Sequence, residues 1–181
     1  MIGLSTVRDL VAIFGVIAGF TYYVLTVRNA QKARQTQTLM QLYQTRYSPE
    51  GVKRLWSIMS MEWTDFDDWM KKYSPSRNTD SDNSAMSTSS WNFYDGLGIL
   101  VKKNIVDIET VYSMLGIRIL MVWFKCETLI KGLRSMEPGK DYLENFEYLA
   151  NEMIRIRRQR GVQLPLARLH PTSTLHKELN P

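Results

Sequence analysis

The side chains that most often carry catalysis or bind metals are few in this chain and lie far apart. The two histidines, His170 and His176, fall in a proline-containing stretch, and the single cysteine, Cys126, lies in an apolar segment. A metal site needs several His, Cys or carboxylate ligands at suitable spacing. We therefore expect two solvent-exposed histidines, a buried and inert thiol at Cys126, and neither a metal nor another cofactor.

Two further motifs resemble functional loops without completing them. Asp65, Asp67 and Asp68 begin like a calcium-binding loop, but the glycine and the terminal glutamate of such a loop are absent, so the acidic first turn of a helix explains them better. The Asp-Gly-Leu-Gly stretch that starts at Asp95 lacks the lysine and the hydroxyl residue of a phosphate-binding loop. We find no catalytic residues and expect a protein that is not an enzyme.

One apolar stretch dominates the amino-terminal part. Leu10–Val27 contains no charged residue, and as a helix it would cover about 27 Å, close to the ~30 Å hydrocarbon core of a bilayer. The alternative, a cleaved signal peptide, would have a shorter apolar region and a small-residue cleavage site. We favour a retained membrane-spanning helix within residues 1–27.

The charges beside this stretch predict its orientation. Arg8 and Asp9 precede it, whereas Arg28, Lys32 and Arg34 follow it. Lys and Arg are enriched on the cytoplasmic side of membrane spans. We therefore expect a single-pass protein of the cell membrane with its amino terminus outside and the rest in the cytoplasm, where the three following cations contact lipid headgroups or a partner.

Gly15 and Gly19 are four residues apart and lie on one face of the predicted span. In lipid, such a pair lets another helix backbone approach closely. We predict that this face packs against another membrane subunit or a second copy of the chain. The alternative of a helix that faces lipid on all sides has about equal weight.

Apolar residues at helical spacing, with no strand-like alternation, predict an all-α fold with one transmembrane helix that continues into a cytoplasmic helical bundle. No glycine or proline occurs between Gly19 and Pro49, so the first helix should extend to about Arg46. The composition predicts four further regions: a juxtamembrane helical segment (28–73), a serine-rich mobile linker at a subdomain boundary (74–90), a helical core (91–160) and an extended tail (161–181).

Several residues predict where the helices begin, bend or end. Ser48 before Pro49 is typical of a helix start, and so is Asp107. Thr64 and Asp67 could form a capping box, and Asp141 could cap the last helix. Gly116 should bend or end a helix.

Four arginines near the end of the last predicted helix form the strongest local charge cluster: Arg155, Arg157, Arg158 and Arg160. They could bind anionic lipid headgroups or an acidic partner. The alternative, which we weigh somewhat more, is a solvent-exposed face that complements the helix dipole. The formal net charge of +5 is more typical of lipid contact than of nucleic-acid binding in a membrane protein.

Three segments resemble a known family: Leu97-Gly-Ile-Leu-Val-Lys-Lys-Asn-Ile-Val-Asp107, Val122-Trp-Phe124 and Phe146-Glu-Tyr-Leu149. Together with the span they are similar to small prokaryotic, membrane-anchored helical proteins that carry only a domain-of-unknown-function label. The resemblance covers roughly residues 10 to 160. It implies no activity, substrate or cofactor.

The sequence thus favours a non-catalytic accessory or scaffolding subunit of a membrane complex, with membrane lipid and other subunits as its partners. The alternative is a membrane-tethered regulator whose basic domain binds anionic lipid, nucleic acid or a signalling partner. An added subunit of a membrane oxidoreductase, such as a copper-dependent ammonia monooxygenase, is a guess that no residue supports.

Overall fold

The computed structural model describes residues 3–74, 81–136 and 139–164, and within these ranges it is all-helical, with no strand. This confirms the predicted all-α fold. There are six described helices: α1 (Leu4–Tyr47), α2 (Pro49–Ser60), α3 (Phe66–Tyr73), α4 (Ser81–Lys102), α5 (Ile108–Arg134) and α6 (Glu144–Gln159). The prediction that the first helix continues well beyond the apolar stretch is also confirmed. Most of the predicted tail, with His170 and His176, lies outside the described residues.

The chain divides into two units, Met1–Met40 and Gln41–Pro181. The first unit contains most of α1, and the most apolar part of this helix has none of its residues buried. By length and composition α1 is long and apolar enough to cross a membrane, the one helix of this kind in the described part of the chain.

The second unit is a helical bundle whose core is built around α5. Apolar side chains on most of the circumference of α5 are buried, as its densely apolar sequence predicts. The fully buried Phe146 of α6 stacks on Tyr94 of α4 at a centroid distance of 5.1 Å and meets Trp123 of α5 edge-on at 5.1 Å. These three aromatic rings therefore join α4, α5 and α6.

The prediction of a serine-rich linker and a subdomain boundary at 74–90 is wrong for the described residues 81–90, which form the first turns of α4. Ser87 and Ser90 are buried in the bundle, where α4 contacts α2, α3 and α6. Serine is small, and its hydroxyl can be satisfied within a helical bundle, so a low content of apolar side chains did not prevent packing here. The later part of the predicted segment 28–73 is likewise not separate from the predicted core, because α2 and α3 pack on α4 and α5.

Two of the predicted helix starts are confirmed. The Ser48 hydroxyl accepts a hydrogen bond from the Gly51 amide at 3.0 Å, and the Asp107 carboxylate accepts one from the Thr110 amide at 2.8 Å. These bonds satisfy amides that have no partner within the helix itself.

The predicted capping box from Thr64 to Asp67 is wrong by one residue. Asp65 is the N-cap of α3, and its carboxylate accepts from the Asp68 amide at 2.8 Å. The Asp68 carboxylate accepts in turn from the Thr64 amide at 3.0 Å.

The cap predicted at Asp141 is also wrong, because the residue before α6 is Leu143, in a left-handed conformation with no capping side chain. The cap is instead the Asp95 carboxylate of α4, which accepts hydrogen bonds from the amides of Asn145 at 2.9 Å and Phe146 at 3.0 Å. The amino terminus of α6 is therefore satisfied by a residue about fifty positions earlier.

The helix end that Gly116 could have marked does not occur, since α5 runs unbroken from Ile108 to Arg134. Gly116 instead lies beside the Tyr112 ring and the Met153 sulfur. A different glycine, Gly98 of α4, is required by packing: a methyl group there would overlap the backbone carbonyl of Asn145 in α6. Gly98 therefore sets how closely α4 and α6 can approach each other.

Candidate functional site

The first candidate site is the face of α1 that carries Gly15 and Gly19. A side-chain carbon added at either glycine would have no atom of the chain within 4 Å. The flanking Phe14, Val16 and Phe20 are 68%, 72% and 68% exposed. Another helix could therefore approach this face without displacing any side chain of the protein. The structure thus leaves the predicted face accessible, and the contact itself stays a prediction.

The three cations after the apolar stretch, Arg28, Lys32 and Arg34, are all exposed on α1. Within the described part of the chain none of the three forms an ion pair. Their charges are available to an outside group, as the predicted headgroup or partner contact requires.

The four arginines of α6 do not form one charged surface. Arg155 pairs with Glu152 of the same helix at 2.6 Å, which raises the pKa of Arg155. Arg160 pairs with Glu109 of α5, with its guanidinium 4.6 Å from the centre of the Tyr112 ring.

The remaining two arginines of this cluster differ in their surroundings. The Arg157 guanidinium donates to the backbone carbonyl of Gln163, while Arg158 is exposed. Three of the four guanidinium groups are thus engaged within the chain, which favours the structural interpretation of the cluster over the binding one.

A buried arginine, Arg46 in the last turn of α1, is a feature that the sequence analysis missed. Its side chain is 6% exposed. Its guanidinium carbon lies 3.7 Å from the centre of the Phe93 ring and 5.0 Å from that of Tyr94, and its nitrogens donate to the Ser90 hydroxyl at 3.2 Å and the Ser90 carbonyl at 3.4 Å. The charge is therefore held by aromatic faces and neutral oxygens.

No carboxylate pairs with Arg46 among the described residues, and its buried Nε has no hydrogen-bond partner there. Burial lowers the pKa of Arg46, and the nearby positive charges of Arg54 and Arg118 lower it further, against the opposing effect of Tyr94. Arg46 stays charged at neutral pH because the guanidinium pKa starts so high. The bundle thus contains a buried positive charge that has no negative partner among the described residues.

Arg118 of α5 supports the same region. Its Nη1 donates to the Arg46 backbone carbonyl at 2.8 Å, and its guanidinium carbon lies 3.7 Å from the centre of the Tyr47 ring. The Tyr47 hydroxyl donates to the Met114 carbonyl at 3.0 Å. The Arg118 guanidinium therefore binds the carboxyl end of α1, where the helix dipole favours positive charge.

One signal in the sequence could have drawn attention to this arrangement. Arg118 interrupts the most apolar run of the helical domain, and a charge in such a run often needs an internal partner. Arg46 gives no such signal, because an arginine in the last turn of a helix is ordinarily solvent-exposed.

Cys126 is fully buried, as expected. Burial raises the pKa of its thiol to about 12. The thiolate is the nucleophilic form of cysteine, so this side chain is a poor nucleophile at neutral pH. Within the described residues no three or more His, Cys, Asp or Glu side chains group together as a metal site would require.

Comparison with known families matches residues 10–153 to the domain of unknown function DUF4760. The chain belongs to the DUF4760 family. This match confirms the resemblance to an uncharacterised family and covers all three segments on which the resemblance rests. No curated protein and no solved structure matches the chain.

Proposed function

We propose that this DUF4760 protein is a non-catalytic accessory or scaffolding subunit of a membrane protein complex. In this proposal α1 crosses the cell membrane once, with its amino terminus outside and the helical bundle in the cytoplasm. The partners are lipid and other membrane subunits, which bind through α1 and through the bundle.

The observation that carries the proposal is the exposure of the apolar half of α1. Phe14, Val16 and Phe20 are each about two-thirds exposed or more. Exposed apolar surface costs about 25 cal/mol per Å² in water. A bilayer removes that cost, and so does a partner subunit in the membrane.

The surroundings of this apolar half support a specific contact within the membrane. Gly15 and Gly19 offer an open surface for another backbone. The exposed Arg28, Lys32 and Arg34 follow on the side where anionic headgroups attract cations, each by about 1 kcal/mol. Together these features support an anchor with one face reserved for a neighbouring helix.

The alternative of a tethered regulator with a basic binding surface loses support, because Arg155, Arg157 and Arg160 are engaged within the chain. No observation favours an oxidoreductase subunit in particular, and we do not propose one.

The experiment that tests the proposal is purification of the full chain in mild detergent, followed by native mass spectrometry of the intact assembly. The expected result is co-purification of at least one other membrane protein with a fixed stoichiometry. The variant Gly15→Leu/Gly19→Leu should lose this partner, because bulky side chains keep the backbones apart.

The matched control is Thr21→Leu/Val24→Leu, which adds two leucines on the opposite face of α1 and should keep the partner. Because a Cβ atom added at Gly15 or Gly19 has no atom within 4 Å beyond its own helix backbone, a clash at these Cβ positions inside the protein does not explain a loss of association. A lone monomer from the native membrane would contradict the scaffolding role, and equal loss in both variants would contradict the glycine face.

A further inference from the structure

An open cleft of about 300 Å³ lies in the helical bundle between α2 and α4. Its lining comprises Arg54 of α2 and Ala85, Met86 and Ser89 of α4. The described lining thus combines a guanidinium from α2 and a hydroxyl from α4 with the apolar side chains of Ala85 and Met86. A volume of this size is at the lower end of the range that small-molecule sites occupy, roughly 300 to 1,000 Å³.

Positively charged side chains lie at and near the cleft. Arg54 is close enough to the buried Arg46 to lower the pKa of Arg46, and Arg118 acts on Arg46 in the same sense. Arg54 forms no ion pair within the described part of the chain. The guanidinium groups of Arg54 and Arg118 therefore each repel that of Arg46, and an anion beside Arg54 would offset the repulsion between Arg54 and Arg46.

The contacts of Arg46 connect the buried charge with the wall of the cleft. Arg46 donates to both oxygens of Ser90, the residue next to the lining residue Ser89. Arg46 is 6% exposed and contacts aromatic rings and neutral oxygens, and no carboxylate among the described residues pairs with it. Its field therefore extends toward the cleft more strongly than that of a solvated cation would.

We propose that this cleft binds the phosphate group of a small ligand. The planar guanidinium of Arg54 can bind phosphate oxygens with two parallel hydrogen bonds, and the Ser89 hydroxyl can donate a third. Ala85 and Met86 form the wall for the organic part of the ligand. The phosphate could come from a free phosphate compound or from the headgroup of a phosphatidic acid, which has the same terminal group.

This proposal goes beyond the scaffolding function and does not depend on it. The cleft lies wholly within the unit Gln41–Pro181. A partner subunit in the membrane is not needed to form it. Failure of one proposal therefore leaves the other unaffected.

The test uses the full chain in a neutral detergent, with phosphorus NMR titrations of inorganic phosphate and of short-chain phosphatidic acid. Saturable binding of at least one of the two is expected. Arg54→Gln should weaken it about tenfold or more, because a charge-assisted hydrogen-bonding group is lost. The matched control is Lys53→Gln, which removes the same charge from the exposed neighbouring residue and should change binding less than about twofold.

A second variant tests the volume of the cleft independently of its charge. Ser89→Phe places a bulky ring at an exposed position of α4 and should abolish binding while the thermal unfolding midpoint without ligand stays unchanged. If Arg54→Gln impairs folding, binding by the Ser89→Phe variant tests the proposal instead, and undiminished binding would overturn it.

The two titrations distinguish the sources of the phosphate. Binding of inorganic phosphate assigns the cleft to free phosphate compounds, and binding of phosphatidic acid alone assigns it to a lipid headgroup. Binding of neither overturns the proposal. Equal weakening by Arg54→Gln and Lys53→Gln also overturns it, because the interaction would then be general electrostatic attraction.

Discussion

Glycines in the two units of this protein have opposite surroundings. A Cβ atom added at Gly15 or Gly19 of α1 would have no neighbour within 4 Å, whereas one added at Gly98 of α4 would overlap the backbone of α6. The apolar side chains follow the same division, with Phe14 of α1 68% exposed and Phe146 of α6 fully buried. In the bundle, a glycine and an aromatic ring are packed against other helices. In the apolar half of α1, the glycines and the aromatic ring of Phe14 are exposed.

The largest effect that can test this comparison is expected for Gly98→Ala. The added methyl group would overlap the Asn145 carbonyl, and overpacking of this kind costs up to about 3 kcal/mol. We expect the free energy of unfolding, measured by denaturant titration in detergent, to fall by about that amount.

The matched control for this variant is Gly96→Ala, two residues earlier in α4, where a methyl group meets nothing within 4 Å. Alanine is the better helix former by roughly 0.5–1 kcal/mol, so this variant should be stabilised. Equal effects of the two variants would show that α4 and α6 do not approach closely at Gly98.

The next largest effect is expected for Asp95, which caps α6 from α4. Asp95→Ala removes the acceptor of the Asn145 and Phe146 amides and should cost about 2 kcal/mol of unfolding free energy. Asp141→Ala, at the position that the sequence alone predicts as the cap, should cost almost nothing. Hydrogen exchange should show that the loss of protection is concentrated at the start of α6. A larger loss of unfolding free energy in Asp141→Ala than in Asp95→Ala would contradict the assignment of Asp95 as the cap.

A pH-dependent effect tests the burial of the bundle core. The pKa of Cys126 rises from its ordinary 9.0 to about 12 on folding because the thiol is buried. The unfolded chain therefore releases this proton first as the pH rises. The stabilising contribution of the neutral thiol is complete below pH 9 and is lost as the pH rises from 9 to about 12.

Over that range the unfolding free energy of the Cys126→Ala variant should decrease less steeply with pH than that of the natural protein. The two slopes should differ by at most about 1.4 kcal/mol per pH unit. Burial also raises the pKa of Tyr94, so part of the decrease in unfolding free energy occurs in both proteins. Chemical denaturation at a series of pH values measures the slopes, and identical slopes would show that the thiol is accessible to water.

The smallest effect is expected for Gly15→Leu/Gly19→Leu on the stability of the bundle. The Cβ atom of either substitution has open space around it, so the unfolding free energy of the bundle should change by less than about 0.5 kcal/mol. Chemical denaturation, followed by the fluorescence of the bundle tryptophans, measures this change. A larger loss would show that this face is already occupied within the chain and would remove the contrast between the two units.

The features that sequence predicted correctly depend on neighbouring residues. Helical spacing predicted the apolar faces, and Ser48 and Asp107 act as caps because each bonds an amide three residues ahead. The continuation of α1 followed from the lack of glycine or proline. Interactions of this kind are fully contained in a short window of sequence.

The features that sequence missed depend on residues far apart in the chain. Asp95 caps α6 across fifty residues, and Arg46 finds Ser90 and Phe93 more than forty residues away. The serine-rich start of α4 was mistaken for a linker because its composition suggested exposure, whereas Ser87 and Ser90 are buried by other helices. No local pattern specifies such partners, so the cleft beside Arg54 could not be anticipated either.

The engagement of Arg46 has a consequence for how the protein can be divided. Proline at position 49 marks an obvious place to cut the chain, but a fragment that begins there would lack the guanidinium that covers Phe93 and the carbonyl that Arg118 binds. The folded domain therefore begins inside a helix and before its final turn. A gene segment that encodes this domain must carry the end of α1 with it, and recombination at Ser48, between α1 and α2, would separate residues that contact each other in the fold.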